Sequence, residues 1–234
     1  MEKIGIFCSA AANIDKMYFE SARQIGEWMG KTGKTLIYGG ADLGLMECVA
    51  RAVKENGGKV IGVVPTKLEE KGRVCTFLDE VIHTHNLSDR KDIMTEKSDI
   101  LVALPGGIGT LDEIFHVMAA ASIGYHQKKV IFYNEYGFYD ELLKTLKTLE
   151  DKGFARQPFS TYYEIANTPE ELKEKIGMNG VRIVGNPEDK MKRVAIVAHL
   201  YPNSAMVDEI KEDGYYHSYD MEIMKYMETE NIDA

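Results

Sequence analysis

SDILVALPGGIGTLDEIF, residues 98–115, is the stretch of this chain that most strongly indicates its fold. An apolar run typical of a buried strand ends at Leu104, Pro105 stops the strand, and a helical pattern follows from about Thr110. We expect the glycines of the turn at 106–109 to use positive φ angles and to let a ligand approach the backbone closely. Strand, glycine turn and helix in this order are typical of one unit of a parallel α/β sheet.

Further apolar runs of strand length alternate with amphipathic stretches of helical period along the chain. Most of the runs are apolar throughout, which indicates burial on both faces of a sheet with helices covering each face. The pattern therefore predicts an α/β fold built on a parallel sheet. The predicted strands are residues 3–8, 35–38, 59–64, 80–83, 99–104 and 129–133, and the predicted helices end near Gly33, end just before Gly57, or span 111–123, 139–149 and 169–176.

The composition changes after residue 176. Of the last 57 residues, six are Lys or Arg and eleven are Asp or Glu, so they carry more than half of the formal net charge of −9. Two strand-like runs and a helical stretch predict a small β-β-α appendage there. We therefore predict a main domain at residues 1–176 and an acidic C-terminal extension at 177–234, to which we assign packing or oligomerisation rather than chemistry.

The composition also excludes several classes of protein. A net charge of −9 over 234 residues opposes sequence-independent binding to nucleic acid, which relies on many Lys and Arg residues. Three cysteines without a CxxC pair are too few for a disulfide framework, so we expect a reducing, cytoplasmic location. No apolar run approaches a signal-peptide core or the roughly 18 residues of a membrane span, and we expect neither export nor membrane insertion.

The glycine turn at 106–109 is a candidate anion site. The first N–H groups of a helix lack partners and the helix dipole favours negative charge, so phosphate is the natural ligand. The turn lacks the Lys-Ser/Thr pair of a Walker A loop and the GxGxxG spacing of a dinucleotide site. A glycine corner without a ligand is the alternative. Asp112 and Glu113 either complement the helix dipole or act on the substrate, and we favour the second role for Glu113.

Other candidate residues lie where parallel strands would open a ligand crevice at their carboxyl ends. Gly39 and Gly40 follow the second predicted strand. Ser9 follows the first, where it is either a helix-entry residue or part of the site. Arg90 and Lys91 precede the helix that leads into the motif strand; they form either a solvated face or a basic rim, in which Arg90 offers a planar fork to phosphate or carboxylate.

We expect no metal and no cofactor. His83 and His85 have the spacing of side chains on one face of a strand, but no CxxC, HExxH or carboxylate cluster accompanies them. No Ser-His-Asp order, no GxSxG turn and no lysine in a pyridoxal-phosphate context is recognisable either.

PGGIGTLDE (105–113) reproduces a PGGxGTxxE signature, and with YGGADLGLM (38–46), GVVP (62–65), DRKDIM (89–94) and YGFYDELL (136–143) it resembles the LOG ("lonely guy") family. These enzymes are cytokinin riboside 5′-monophosphate phosphoribohydrolases, long mislabelled as lysine decarboxylases. The resemblance runs through residues 1–176 and implies a Rossmann-like, doubly wound catalytic domain and a homodimer. It also implies hydrolysis of the N-glycosidic bond of AMP or an N6-modified AMP to free base and ribose 5-phosphate, without a metal.

The resemblance further implies a role for each residue that matches the family's motifs. Arg90 and Glu113 would form the catalytic pair, with Glu113 stabilising an oxocarbenium-like transition state. The residues implied in substrate binding are Ser9, Gly39, Gly40, Lys91, Gly106, Gly107, Ile108, Gly109, Thr110, Leu111 and Asp112, of which 106–110 would cradle the 5′-phosphate.

Two departures and one alternative accompany this assignment, and one departure is that Val117, Met118 and Ala119 stand where many family members have a Thr-Trp pair on the motif helix. The other is that Ser88 stands where many family members have His, which concerns the base end of the site. The alternative function is a nucleotide- or cofactor-binding carrier of the same fold, which keeps the phosphate loop without turnover. Retention of both Arg90 and Glu113 favours the enzyme.

Overall fold

Seven parallel strands form one sheet with helices on both faces in the computed structural model, which describes residues 2–178. The strands are β1 (Lys3–Phe7), β2 (Thr35–Tyr38), β3 (Lys59–Pro65), β4 (Glu80–Thr84), β5 (Ile100–Ala103), β6 (Val130–Tyr133) and β7 (Tyr163–Ala166). The helices are α1 (Lys16–Lys31), α2 (Gly44–Glu55), α3 (Thr66–Glu70), α4 (Leu87–Lys97), α5 (Ile108–Ser122), α6 (Asp140–Asp151) and α7 (Pro169–Met178), with 3-10 turns at Glu135–Gly137 and Phe159–Thr161.

The strand order β4-β3-β2-β1-β5-β6-β7 makes the sheet doubly wound. The chain builds outward from β1 to β4 on one side and then returns to β5 on the other side of β1. Ile4 of β1 is thus paired with Leu36 of β2 and with Ile100 of β5. The chain leaves β1 toward β2 and leaves β5 toward β6, in opposite directions along the sheet. The crevice at the carboxyl ends of β1 and β5 is therefore the expected ligand position. The predicted α/β, Rossmann-like class is confirmed.

Apolar side chains alternate between two cores, one on each face of the sheet. In β1, Ile4 and Ile6 contact the core under α1, α2 and α7, whereas Phe7 contacts the core under α4, α5 and α6. Because both faces are covered, the central strands must be apolar throughout. This requirement is the physical reason why the short apolar runs identified β1, β2, β3, β5 and β6, whereas β4 was identified although it is mostly exposed at the edge of the sheet.

Several element bounds differ from the prediction. α5 begins at Ile108, two residues before the predicted start, and the strand β7 and the helix α3 were not predicted. Arg90 and Lys91 lie inside α4 and not before a helix, so that placement was wrong. Thr168 caps the last helix, because its hydroxyl accepts a hydrogen bond from the Glu171 N–H at 3.1 Å.

Some predictions concern residues that the structure does not describe. The predicted β-β-α appendage at 177–234 lies outside the described residues from 179 onward. Within residues 2–178, no helix is long and apolar enough to cross a membrane.

Candidate active site

The N-terminus of α5 lies at the carboxyl ends of the parallel strands. Gly107 is the N-cap residue and has no side chain to accept the first N–H groups of the helix. Gly107, Ile108 and Gly109 are exposed, whereas Thr110 is buried. Unpaired N–H groups, the positive end of the helix dipole and solvent access therefore coincide, which is the arrangement that binds an anion such as phosphate.

The three glycines of this turn have different reasons to be glycine. A Cβ atom added at Gly106 would overlap the side chain of Thr110, so packing within the protein requires glycine there. A Cβ at Gly107 or Gly109 would meet no atom within 4 Å. None of the three has a positive φ, so the expected left-handed backbone was wrong. Because neither packing nor φ requires glycine at 107 and 109, these two glycines keep the helix N-terminus accessible.

The loops after β1 and β2 meet the α5 turn at the same edge. The Ser9 N–H donates to the carbonyl of Pro105 at 3.1 Å, and the Ser9 carbonyl accepts from the Leu45 N–H at 2.9 Å. The Ser9 hydroxyl accepts from the Ala11 N–H at 3.0 Å. Ser9 therefore shapes its own loop and also links that loop to the motif strand.

Arg90 and Glu113 form an ion pair that joins α4 to α5 in this crevice. Their side chains are only 15% and 9% exposed. A Cβ atom at Gly39 would lie 2.6 Å from Nη2 of Arg90, so the guanidinium lies directly on the backbone of the β2 loop. A side chain at position 39 would displace the ends of the Arg90 and Met46 side chains, and the contact places the end of β2 beside the catalytic candidates.

Burial and charge act on Glu113 in opposite directions. Desolvation raises the pKa of its carboxyl group to about 6, against the opposing effects of Arg90 and, more weakly, Lys91. The neighbouring carboxylate of Asp112 raises this pKa further. Glu113 is therefore mostly ionised at neutral pH but becomes protonated under mild acid. Nε of Arg90 is buried and has no hydrogen-bond acceptor among the described residues, which leaves a donor for a ligand.

The other predicted binding residues lie around this pair. Nζ of Lys91 contacts both carboxylate oxygens of Asp112 at 2.9 Å, so these two predicted substrate contacts are paired with each other. Leu111 is partly buried and packs on the core under α4, α5 and α6. The structure thus gathers all the predicted site residues at one edge of the sheet: Ser9, Gly39, Gly40, Arg90, Lys91, Gly106, Gly107, Ile108, Gly109, Thr110, Leu111, Asp112 and Glu113.

Two contacts at the site were not predicted. The Tyr139 hydroxyl, which is buried, donates to the carbonyl of Leu104 at 2.7 Å and so holds the end of the motif strand. Nε2 of His116 on α5 lies 2.8 Å from Oδ1 of Asp92 on α4. Tyr139 belongs to the YGFYDELL motif, which supported the family resemblance although none of its residues was given a function. The second contact depends on the packing of two helices and has no sequence signal.

The histidines that raised the question of a metal have ordinary contacts. Nδ1 of His83 lies 2.6 Å from Oε1 of Glu69. Among residues 2–178, no three His, Cys, Asp or Glu side chains are grouped as metal ligands would be.

Comparisons with known proteins match this domain. A protein-family model described as "Possible lysine decarboxylase" matches residues 46–176. A rice protein named "Probable cytokinin riboside 5′-monophosphate phosphoribohydrolase LOGL2" is 35% identical over 174 residues, which are 74% of this chain and 71% of the relative. An Arabidopsis thaliana protein named "Cytokinin riboside 5′-monophosphate phosphoribohydrolase LOG5" is 33% identical over 175 residues, 75% of this chain and 77% of the relative.

Solved structures of carrier proteins share the fold. The Moco carrier protein from Chlamydomonas reinhardtii superposes with a TM-score of 0.58 at 25% identity, over 76% of this chain and 96% of its own. The molybdenum cofactor binding protein from Rippkaea orientalis superposes with a TM-score of 0.56 at 24% identity, over 75% of this chain and 94% of its own. The likeness at this level of identity concerns the fold.

Proposed function

Since the chain belongs to the LOG family of cytokinin riboside 5′-monophosphate phosphoribohydrolases, we propose that it hydrolyses the N-glycosidic bond of a nucleoside 5′-monophosphate. The substrate is AMP or an N6-modified AMP, and the products are the free base and ribose 5-phosphate. The observation that carries this proposal is the buried Arg90–Glu113 ion pair, between one and two helical turns beyond an open helix N-terminus.

The 5′-phosphate binds at the N-terminus of α5. The N–H groups of residues 106–110 and the helix dipole supply the attraction, and Gly107 and Gly109 leave room for the phosphate oxygens. Glu113 follows the N-cap residue Gly107 by six residues, which is about 9 Å along the helix axis, and helical side chains lean back toward the N-terminus. A phosphate at the helix N-terminus therefore places the ribose beside the Glu113 carboxylate.

Glu113 and Arg90 divide the chemistry between them. The bond between C1′ and the base nitrogen breaks with its electron pair leaving on the base, and positive charge develops on the ribose. The ionised Glu113 carboxylate stabilises that charge and orients the water that attacks C1′. The water hydroxyl remains on C1′ and its proton is transferred to the base. Arg90 keeps Glu113 ionised and offers its unpaired Nε to the substrate.

We assign the remaining predicted residues to the walls of the nucleotide pocket. Ser9, Gly39 and Gly40 line it from the loops after β1 and β2. Lys91 and Asp112, paired at 2.9 Å, with the adjacent Leu111, contact the substrate from the rim. This assignment rests on the shared edge of the sheet and on the family's motifs.

The functional unit we propose is a homodimer formed through α5. The exposed face of this helix carries Ile108, Phe115 and Ala119, and Ile123 follows at its C-cap; Ile108 is 85% and Ile123 68% exposed. A second copy of the chain would bury these residues. Phe115→Glu is expected to convert the dimer to a monomer in light scattering after gel filtration. A wild-type protein that is monomeric at micromolar concentration would contradict the dimer.

The location we propose is the cytosol. Cys8, Cys48 and Cys75 are all free, as expected in a reducing compartment.

Chromatography of the reaction products tests the proposed function. Wild-type protein incubated with AMP or N6-isopentenyl-AMP is expected to release free base, and Glu113→Ala and Arg90→Ala are each expected to abolish release. Arg51→Ala is the matched control, because it removes another Arg–Glu pair, on the outer face of α2, and is expected to retain activity. Tight nucleotide binding without base release, unaffected by Glu113→Ala, would instead indicate a carrier.

A further inference from the structure

The helix that carries Arg90 has its apolar packing in its second half, where Met94 lies in the core and Ile93 packs against it. Of the eleven residues of α4, only Met94 and Thr95 are buried. Its first turn is capped by the Asn86 side chain, which accepts two N–H bonds at 2.8 and 3.0 Å. At its other end, Nζ of Lys128 donates to three backbone carbonyls at 2.6 to 3.0 Å. With so little apolar packing, the lateral position of α4 depends on what its middle contacts.

Three consecutive residues in the middle of α4 each contact α5. The pairs are Arg90 with Glu113, Lys91 with Asp112, and Asp92 with His116. The proposed function uses the first pair and places the second at the pocket rim, but it leaves the third without a role. The His116 side chain is 25% exposed and that of Asp92 is 67% exposed, so the contact lies at the surface with its histidine half-buried.

We propose that Asp92 and His116 are positioning residues that hold α4 at the distance from α5 where Arg90 meets Glu113. The role in turnover rests on the proposed function, whereas the effect on Glu113 does not. Asp92 is two residues from Arg90, and His116 is three residues, about one helical turn, from Glu113. Because helix backbones are stiff over one turn, a contact between residues 92 and 116 restrains the separation at the neighbouring ion pair.

The chemistry of the contact makes it directional. An ionised carboxylate can only accept hydrogen bonds, so Nε2 of His116 must carry the proton that is donated to Oδ1 of Asp92 at 2.8 Å. An amide nitrogen at the same place would also donate, whereas a methyl group would not. His116→Gln and His116→Ala therefore separate the hydrogen bond from the mere presence of a side chain.

The pKa of the Glu113 carboxyl group depends on the position of α4. The charged groups that act on its carboxyl group are Arg90 and Lys91 from α4, which lower its pKa, and Asp112 from its own helix, which raises it. Cys8, directly after β1, and Tyr139, directly before α6, also lie near, and burial raises the pKa of both, so they stay neutral. Displacement of α4 would weaken the effect of Arg90 and raise the pKa of Glu113.

The experiment measures turnover and the Glu113 carboxyl group separately in the full chain. Carbon-13 NMR of labelled glutamate follows the carboxyl titration, with the Glu113 signal identified by its loss in Glu113→Gln. In His116→Ala the pKa of Glu113 is expected to rise by about half a unit or more. The kcat for AMP is expected to fall about tenfold, because small displacements of catalytic groups are costly. KM is expected to change less than about twofold.

The conservative variant and a matched control complete the test. His116→Gln is expected to restore both the titration and kcat to near wild-type values. His83→Ala removes a similar His–carboxylate contact, to Glu69 at 2.6 Å, and is expected to change neither quantity. Asp92→Ala, at an exposed position, is expected to reproduce His116→Ala and provides the same test if His116→Ala does not fold.

Three results would overturn the proposal. They are an unchanged Glu113 titration in His116→Ala, a lowered melting temperature with unchanged kcat and pH profile, and a His116→Gln variant as impaired as His116→Ala. A wild-type protein that releases no base refutes the proposed function instead. The carboxyl titration still decides the positioning role in that case, because it requires no turnover.

Discussion

Replacement of the buried Glu113 carboxylate by the isosteric amide of glutamine is expected to stabilise the protein while abolishing base release. Glu113 is buried, and desolvation raises its pKa from the ordinary 4.5 to about 6. The ionised form is therefore less favourable in the folded protein than in the unfolded chain. Stability contributed by the protonated form is present below pH 4.5 and is lost as the pH rises from about 4.5 to 6.

The size of the effect follows from this difference in pKa. A shift of about 1.5 units corresponds to about 2 kcal/mol of unfolding free energy at neutral pH. Glutamine is neutral at every pH, and its carbonyl oxygen still accepts from Arg90. Glu113→Gln is therefore expected to gain up to about 2 kcal/mol at pH 7.5, or about 4 to 8 °C in melting temperature for a domain of this size. The gain is expected to vanish near pH 4.

Urea unfolding at pH 4 and pH 7.5, with base release measured on the same preparations, checks this expectation. Glu80→Gln is the matched control, because Glu80 forms an exposed pair with Lys59 at 3.3 Å, and its change is expected to be below about 0.5 kcal/mol. A Glu113→Gln variant that is less stable than wild type at pH 7.5, or equally stabilised at both pH values, would show that the ionised Glu113 carboxylate does not destabilise the fold. Retained turnover in this variant would refute the role of the carboxylate.

Other expectations follow from the same site. The rate of hydrolysis is expected to fall on the acid side with an apparent pKa near 6, becoming about tenfold lower at pH 5 than on its plateau, because Glu113 must be ionised; a rate unchanged down to pH 5 would contradict this. Gly107→Ala is expected to preserve the unfolding free energy but to weaken ribose 5-phosphate binding in calorimetry by about tenfold or more, because the methyl group occupies the open space at the helix N-terminus. Gly106→Ala is expected to lower the unfolding free energy by about 1 to 3 kcal/mol through overlap with Thr110. A Gly107→Ala variant that loses stability but binds normally would contradict these roles, as would a Gly106→Ala variant of unchanged stability.

The sheet was predictable because burial on both faces leaves a local signature. All residues of strands such as β2 and β5 are buried, and all of them except Thr35 are apolar. The edge strand β7 was missed because its sequence YEIA is only partly buried and includes a glutamate. The helix α3 was missed because it has five residues and buries none of them.

The site was predictable only where chemistry is local in sequence. The turn at 106–109 and the acidic residues after it lie within one motif, so their proximity follows from a strand-turn-helix reading. The Arg90–Glu113 pair joins two helices, and only the resemblance to a family brought it forward. The contacts Lys91–Asp112 and Asp92–His116 depend on how α4 lies against α5, and short-range periodicity carries no information about that packing.

The activity proposed for this site is cleavage of the bond between ribose and base in a nucleoside 5′-monophosphate. Its most direct test is the chromatographic measurement of free base from AMP and N6-isopentenyl-AMP, with wild-type protein beside Glu113→Ala and Arg51→Ala. We expect stoichiometric base and ribose 5-phosphate from wild type and Arg51→Ala, and none from Glu113→Ala. Absence of base from every nucleoside monophosphate tested with folded wild-type protein would contradict the claim.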